Sequence, residues 1–465
     1  MATATARAAG ELHDRLAAVV GREHVRTDEG ALFSYSTDAT PMHSGLPSCV
    51  VFPGSTEEVA GVVRVANELG TPLIPRGAGT NLSAGTVAQH GEILLVLTRM
   101  NRLLELDTAN LAAVCQPGLP TAVLGEATEK EGLLYPPDPG SRTTSTVGGN
   151  VAENAGGMRG IKYGVTRDYV LGIEAVIGTG ETIRWGGKLH KNVAGYDLSR
   201  ILCGSEGTLA VLTELTLRLV PMPKATGVGL AYFSDLASAG RAVSRTLAGG
   251  VLPATLEFLD ETCLRTVEDF AGIGLRTDVG ALLIFGQDGA REAVAEDLEQ
   301  MEEACRAEGA LEVQVARDAA EGVRILEARR TALPSLARLE QLTILEDVTV
   351  PRSRLAEMVE RIAEVARRHE LTIGTFGHAG DGNLHPTCVL DPMDEDAVAR
   401  SHRAFDEIFS AAIELGGTIT GEHGVGIAKL AWLERYLGPE QIALLRRIKA
   451  AFDPNGILNP GKLGS

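Results

Sequence analysis

Apolar and polar positions run along the chain in two rhythms. In the first half, short apolar runs alternate with amphipathic stretches. Residues 10–20 read as a helix and 49–52 as a strand. A second helix opens at Ser55, with Glu58 three residues on as its capping partner. Val59, Val62, Val63 and Ala66 recur at the helical period and give that helix one apolar face. Strands are predicted at 72–74, 93–97, 112–115 and 169–177, and a helix over 120–131. Leu215, Leu217 and Leu219 alternate, which makes 209–220 a half-buried strand. Residues 135–164 are rich in Gly, Pro and Asn and read as irregular. Pro221 and Pro223 end this half, because proline cannot continue a ladder and restricts what precedes it.

The second rhythm is slower. Strands at 228–233, 254–259, 279–286, 311–315, 343–350 and 371–377 alternate with helices near 235–248, 290–307, 352–369 and 394–415. Antiparallel returns of this kind predict an α+β class with an antiparallel sheet. The predicted organisation is one domain over 1–222, a second over 223–426, and a C-terminal segment over 427–465. That last segment carries a helix marked by Ala443, Leu444, Ile448 and Phe452.

Charge and composition narrow the function. The chain has 465 residues and a net charge of -18, which excludes a general polyanion binder and argues against a nucleic-acid partner. Any anion must be held by local geometry. No apolar run reaches the roughly 18 residues of a membrane span. The six cysteines are scattered, with no CxxC pair and no Fe–S spacing, which predicts buried thiols in a reducing compartment. Residues 1–16 lack an apolar run before Glu11 and Asp14, so a cytoplasmic location is expected.

Glycine is the excess residue, at 54. Nineteen of these lie in four segments, 75–85, 140–164, 374–382 and 416–426. The first segment, Pro75-Arg-Gly-Ala-Gly-Thr-Asn-Leu-Ser-Ala-Gly85, follows a strand. Its glycines permit positive φ and let N–H groups converge on an anion, and equally suit a tight turn. It is neither a dinucleotide fingerprint, since position 82 is Leu, nor a Walker loop, since no Gly-Lys-Ser/Thr occurs. The second contains Thr146-Val-Gly-Gly-Asn-Val-Ala-Glu-Asn-Ala-Gly-Gly157, where so much backbone beside apolar strands needs polar partners. A third short loop, Gly204-Ser-Glu-Gly-Thr-Leu209, runs straight into a strand.

The other glycine-rich segments carry candidate chemistry. In Gly377-His-Ala-Gly-Asp-Gly-Asn-Leu-His385, Asp381-Gly382 is a two-residue hairpin turn, which would set His378 opposite His385. Opposed residues have Cβ atoms about 4.5–5.5 Å apart, close enough for two imidazoles to share one ion. Glu422, in Gly421-Glu-His-Gly-Val-Gly426, offers a third ligand. Two imidazoles and a carboxylate suit a divalent metal, zinc most often, with manganese or iron as alternatives. From spacing alone, a buried ion-pair cluster fits equally well. Asn383 lies in the same hairpin and is a candidate substrate-binding residue.

These loops, in this order, resemble the FAD-binding domain of the vanillyl-alcohol oxidase/p-cresol methylhydroxylase superfamily. The C-terminal motifs are similar to those of its branch of D-lactate dehydrogenase, the glycolate oxidase flavin subunit and D-2-hydroxyglutarate dehydrogenase. The resemblance spans about residues 45–463. It implies a two-part FAD-binding domain and an α+β cap. Arg76, Gly77, Ala78, Gly79, Thr80, Asn81 and Leu82 would cradle the FAD pyrophosphate. Asp138, Ser141, Gly148, Gly149, Asn150, Asn154 and Gly157 would line the flavin. Glu206, Gly207 and Val211 would hold the adenine side, and Asn459 would close over the cofactor or act as a latch. Thr80 stands where covalent members carry His, which implies non-covalent FAD.

The same resemblance makes His378, His385 and Glu422 metal ligands and His423 the catalytic base. Arg329 would bind the substrate carboxylate, a role that suits a planar guanidinium, whereas Arg330 reads as a solvated helix arginine. Related 2-hydroxyglutarate enzymes carry a Lys near the position of Leu345; here Glu346 and Asp347 follow instead. That departure points to a monocarboxylate, D-lactate or glycolate, oxidised by hydride transfer to flavin N5. Electrons would pass to a quinone, a cytochrome, an electron-transfer protein or a partner Fe–S subunit. The chain would act as a homodimer or in a hetero-oligomer, as in a multi-subunit glycolate oxidase, and would meet a membrane only through such a partner. An ether-lipid enzyme akin to alkyl-dihydroxyacetone-phosphate synthase and a flavin-free metallohydrolase are the competing readings.

Overall fold

The computed structural model describes residues 2–463. The helix after Ser55 forms over Thr56–Leu69. Ser55 Oγ accepts from the Glu58 N–H at 3.3 Å, while the Glu58 carboxylate turns back to the Gly54 N–H at 2.7 Å. Its apolar face, Val59, Val62, Val63 and Ala66, is buried with Leu12 and Leu16 of the helix Ala2–Val20. Each buried valine contributes about 1.5 kcal/mol or more. These helices cover a four-stranded sheet ordered Val25–Arg26, Cys49–Val51, Ile93–Val96, Leu73–Arg76, whose last three strands are parallel.

A second sheet is antiparallel, in the order Leu103–Asp107, Ala112–Cys115, Ala210–Arg218, Val170–Ile177, Thr182–Gly186. The predicted alternation at Leu215 and Leu217 is present, both fully buried against Tyr169 and Val147. The sequence reading of 135–164 as irregular is corrected. It contains the helix Val147–Glu153, with Thr146 Oγ1 accepting from the Gly149 N–H at 3.2 Å, and a left-handed Asn154 at its end. Two glycines at its start masked the helical signal, since glycine is a poor helix former; the capping threonine and tertiary packing override it.

The third sheet is antiparallel and positions the site. Its order is Glu312–Val315, Ala225–Phe233, Ala281–Gly289, Thr255–Asp260, Thr372–His378, Asn383–Leu390, Leu342–Leu345, with Val348–Thr349 also on Asn383–Leu390. One face packs under the helices Leu236–Ala248, Arg291–Ala307, Leu355–Arg368 and Glu395–Glu414. The other lies under Glu261–Ala271, Ala319–Arg330 and Ala332–Leu336. The class is therefore α+β, as the alternation predicts. The C-terminal tail returns to the first sheet, where Leu73 N donates to Ile457 O at 2.8 Å and Asn459 N to Leu73 O at 2.8 Å. All six cysteines are free, and five are buried. Among the described residues, no helix is long and apolar enough to cross a membrane.

Candidate active site

The hairpin that carries the two histidines is built differently from the two-residue turn its sequence suggests. His378 pairs with Asn383 and Phe376 with His385, so residues 379–382 form a four-residue loop. The cause is tertiary: the Gly380 N–H, which a tighter turn would pair with Asn383, donates to Leu256 O of the neighbouring strand at 3.2 Å. His378 and His385 become diagonal neighbours on one face, and their rings still converge, perpendicular, with centroids 5.2 Å apart.

Glu422 completes the group. Its Oε1 lies 3.2 Å from His378 Nε2 and 3.2 Å from His385 Nε2. The ligand atoms of the three residues all fall within 4.8 Å of one another. Neighbouring ligands of tetrahedral zinc at bonds of about 2.0–2.1 Å are about 3.3 Å apart, so the set is compact enough for one ion. The strand Thr255–Asp260 places Glu257 beside His378, and Glu257 Oε1 is 2.7 Å from His378 Nδ1. A carboxylate at Nδ1 keeps the proton there and turns Nε2 inward, the usual support of a metal-bound imidazole.

Electrostatics supports a cation at this point. Burial would lower the His378 pKa, but Glu257 and Glu422 outweigh it and hold the group well above the ordinary imidazole value. His385 behaves oppositely: burial, helped by the neighbouring His423 and His378, lowers it to about 3 and leaves a neutral ring. Glu257 is shared between His378 and Arg329, and Glu422 faces the two imidazoles, where a proton on His378 or a divalent ion would balance it.

His423 stacks on His385 at 5.0 Å with 7° between the planes. Its Nδ1 is 3.6 Å from Asp347 Oδ1 and its Nε2 3.9 Å from Glu422 Oε1. Asp347 also organises the loop that holds His423. It is fully buried and accepts from the N–H groups of Gly421 at 2.6 Å, Glu422 at 2.8 Å and His423 at 3.3 Å. Its counter-ion is the fully buried Lys429. Burial opposes the charge on Asp347, yet Lys429, His423 and His385 overcome it and keep the carboxyl well below its usual range. Gly421 has to be glycine, since a Cβ there would lie 2.2 Å from Thr349 Oγ1 and 2.4 Å from Asn383 Nδ2. On the other side of the loop, Glu206 accepts from the Val425 and Gly426 N–H groups, each at 2.7 Å.

A cavity of about 440 Å³ joins this cluster to the glycine loops. Its wall includes Gly77, Ala78, Gly79, Thr80, Asn81, Leu82, Ser141, Gly149 and Asn150 together with Arg329, His378, His385, Glu422 and His423. The remaining residues assigned to the cofactor stand behind that wall. Arg76 donates to Thr37 O at 2.8 Å, and Asp138 is paired with Arg142 at 3.0 Å. Gly148 and Gly157 are close-approach points, where a Cβ would meet Pro117 at 2.4 Å and Asp138 O at 2.2 Å. Asn154 Oδ1 accepts from the Arg167 N–H at 3.0 Å, Gly207 lies against Pro75, and Val211 is buried among the helices over the first sheet. Asn459 Nδ2 ties the tail to Gly85 O at 3.0 Å and Glu206 O at 2.7 Å. Asn383 is likewise turned away, with Nδ2 donating to Val348 O at 3.1 Å and Thr349 Oγ1 at 3.0 Å.

Arg329 is buried, with Nε donating to Glu257 Oε2 at 2.6 Å and its guanidinium 4.6 Å over the Phe376 ring. Arg330, expected to be solvated, also lines the cavity. Leu345 faces the cavity, whereas Glu346 and Asp347 turn to Lys429. Sequence reasoning missed Glu257, Asp347 as loop anchor, and Lys429. An acidic residue inside the apolar run Thr-Leu-Glu-Phe-Leu was the one available signal for Glu257.

Two family models divide the chain: "FAD binding domain" matches residues 47–186, and "FAD linked oxidases, C-terminal domain" matches residues 222–463. The chain is 48% identical to the glycolate oxidase subunit GlcD of Bacillus subtilis, over 97% of this chain and 96% of that protein. It is 39% identical to a D-lactate dehydrogenase of Anaerostipes hadrus, over 90% and 89%. In fold it matches p-cresol methylhydroxylase with a TM-score of 0.83 at 17% identity, covering 98% of this chain and 96% of that one. The flavin-free hydrolase reading falls with the FAD-binding match. By these matches this chain belongs to the family of FAD-linked oxidases and is an FAD-dependent oxidoreductase.

Proposed function

We propose that the chain oxidises a small D-2-hydroxy acid, D-lactate or glycolate, to the 2-oxo acid, using non-covalent FAD and a divalent cation. The observation that carries this reading is the single cavity shared by the glycine loops, the His378/His385/Glu422 cluster, His423 and Arg329. The relatives named above for glycolate and D-lactate support the substrate class.

The residues fit both groups. Gly79, at φ 72°, shapes a loop whose 77–82 segment lines the cavity, suited to a pyrophosphate held by backbone N–H groups. Thr80 offers no imidazole for a covalent flavin link. His378 Nε2, His385 Nε2 and Glu422 Oε1 form a ligand set for zinc, manganese or iron. When bound, FAD supplies a hydride acceptor and the cation supplies Lewis acidity toward the substrate hydroxyl.

The chain's own groups do the rest. Arg329, locked by Glu257, binds the carboxylate as a rigid fork. His423 takes the hydroxyl proton at Nε2, while Asp347 near Nδ1 stabilises the imidazolium that forms. Leu345 presents apolar surface to the substrate side chain, which favours a monocarboxylate. Electrons then leave to a protein, quinone or cytochrome acceptor; the GlcD relative, named as a subunit, supports assembly with partner chains.

Anaerobic mixing of the FAD-loaded protein with D- and L-2-hydroxy acids tests the reading. Glycolate or D-lactate should bleach the flavin, and a chelator should suppress the bleaching. Bleaching by L-acids alone, or full activity after metal stripping, contradicts it. Glu257→Gln provides a second check: it removes the carboxylate behind His378 and should weaken metal retention by about 10–100-fold. Unchanged metal content after dialysis against chelator would show that Glu257 does not orient this imidazole.

A further inference from the structure

Glu257 matches the charge of Arg329 and holds its Nε at 2.6 Å, so the predicted carboxylate anchor is already engaged. Arg330, one residue on, is different. It lines the same cavity, its side chain is 33% exposed, and its ion pairs are long: Asp138 Oδ2 at 3.5 Å, the limit of a hydrogen bond, and Glu327 Oε2 at 3.9 Å. Asp138 has a shorter partner in Arg142, at 3.0 Å. Arg330 is thus the loosely matched cation of the cavity, within a chain of net charge -18.

We propose that Arg330 is a second substrate-binding residue, which exchanges its long contact with Asp138 for the incoming carboxylate and delivers it to Arg329. The proposal rests on the hydroxy-acid reading above. It answers how a strongly acidic chain draws an anion into a cavity that also holds carboxylates. The Asp138 contact keeps the guanidinium at the cavity wall without consuming it, because Arg142 satisfies Asp138 when Arg330 leaves. Arg329 then fixes the acid rigidly, and Arg330 sets how readily it arrives and stays. A cation in this role acts over a distance that salt shortens.

The test uses the FAD-loaded holoenzyme and the variants Arg330→Gln and Arg330→Lys. In anaerobic flavin bleaching by glycolate and D-lactate, R330Q should raise the apparent dissociation constant about tenfold. The limiting rate should stay near wild type, and the salt dependence of the second-order rate should flatten. R330K, which keeps the charge, should recover that salt dependence. Titration with oxalate, a non-reacting dicarboxylate, followed by the flavin absorbance shift, reads anion binding without turnover and should weaken in R330Q by a similar factor. If no hydroxy acid bleaches the wild type while oxalate binding still depends on Arg330, the substrate reading fails and the anion site stands. An unchanged oxalate affinity in R330Q overturns the proposal. So does a fall in limiting rate at unchanged affinity, which would tie Arg330 to the flavin instead.

Discussion

Replacing His423 with glutamine is expected to slow anaerobic flavin reduction by about 10²–10⁴-fold while FAD stays bound. Glutamine approximates the size of the ring but cannot take up a proton near neutral pH. The imidazole is held between its stack on His385 and the Asp347 carboxylate, so its Nε2 is aimed by packing rather than by chance. The change leaves the 77–82 loop, which lines the same cavity, unaltered in sequence. Rapid-mixing absorbance with saturating substrate, together with the flavin-to-protein ratio, checks both halves. Reduction at the wild-type rate would remove His423 from the proton step, and loss of FAD would make it a structural residue.

Asp347→Asn should cost stability and activity together. The carboxylate is fully buried, pairs with the fully buried Lys429, and holds three successive N–H groups of the 421–423 loop. Asparagine leaves the ammonium with Glu346 at 3.2 Å as its remaining carboxylate partner. Breaking a buried pair in this way costs about 3–5 kcal/mol. The folded-state pKa of Asp347 is depressed, so its contribution is present above the unfolded carboxylate range of about 4 and is lost as pH falls through the folded value. The variant should therefore unfold earlier in denaturant at every pH from about 5 to 8, where the unfolded carboxylate is ionised. Because the same loop carries Glu422 and the proposed base His423, flavin reduction should fall at least about tenfold when that loop loses its support. A variant with wild-type unfolding and wild-type reduction would show that the loop is held by other contacts.

The helix Thr56–Leu69 was legible because its signals are local: a capping serine, a glutamate three residues on, and apolar spacing. The helix Val147–Glu153 was not, because two glycines at its start erase the propensity signal and its packing partners lie far along the chain. His378, His385, Glu422 and His423 were legible as candidates from residue type and glycine flanks, and the structure brings all four together. The hairpin register was misread because one long-range hydrogen bond, Gly380 to Leu256, decides it.

The α+β class, the glycine-rich loops and the identity of the chemical groups are readable along the chain, since each depends on local period, turn chemistry or residue type. What those groups face is set by the folded molecule. Glu257 lies 121 residues from the imidazole it supports, Asp347 lies 76 residues from His423, which it faces, and Lys429 neutralises Asp347 from a third segment. No local pattern encodes such pairings, because they arise where strands distant in the chain become neighbours in one sheet. The same holds for the two arginines. Adjacent in sequence and alike in chemistry, Arg329 is locked by a buried carboxylate and Arg330 is left loosely held, a difference made by what each guanidinium meets once the chain is folded.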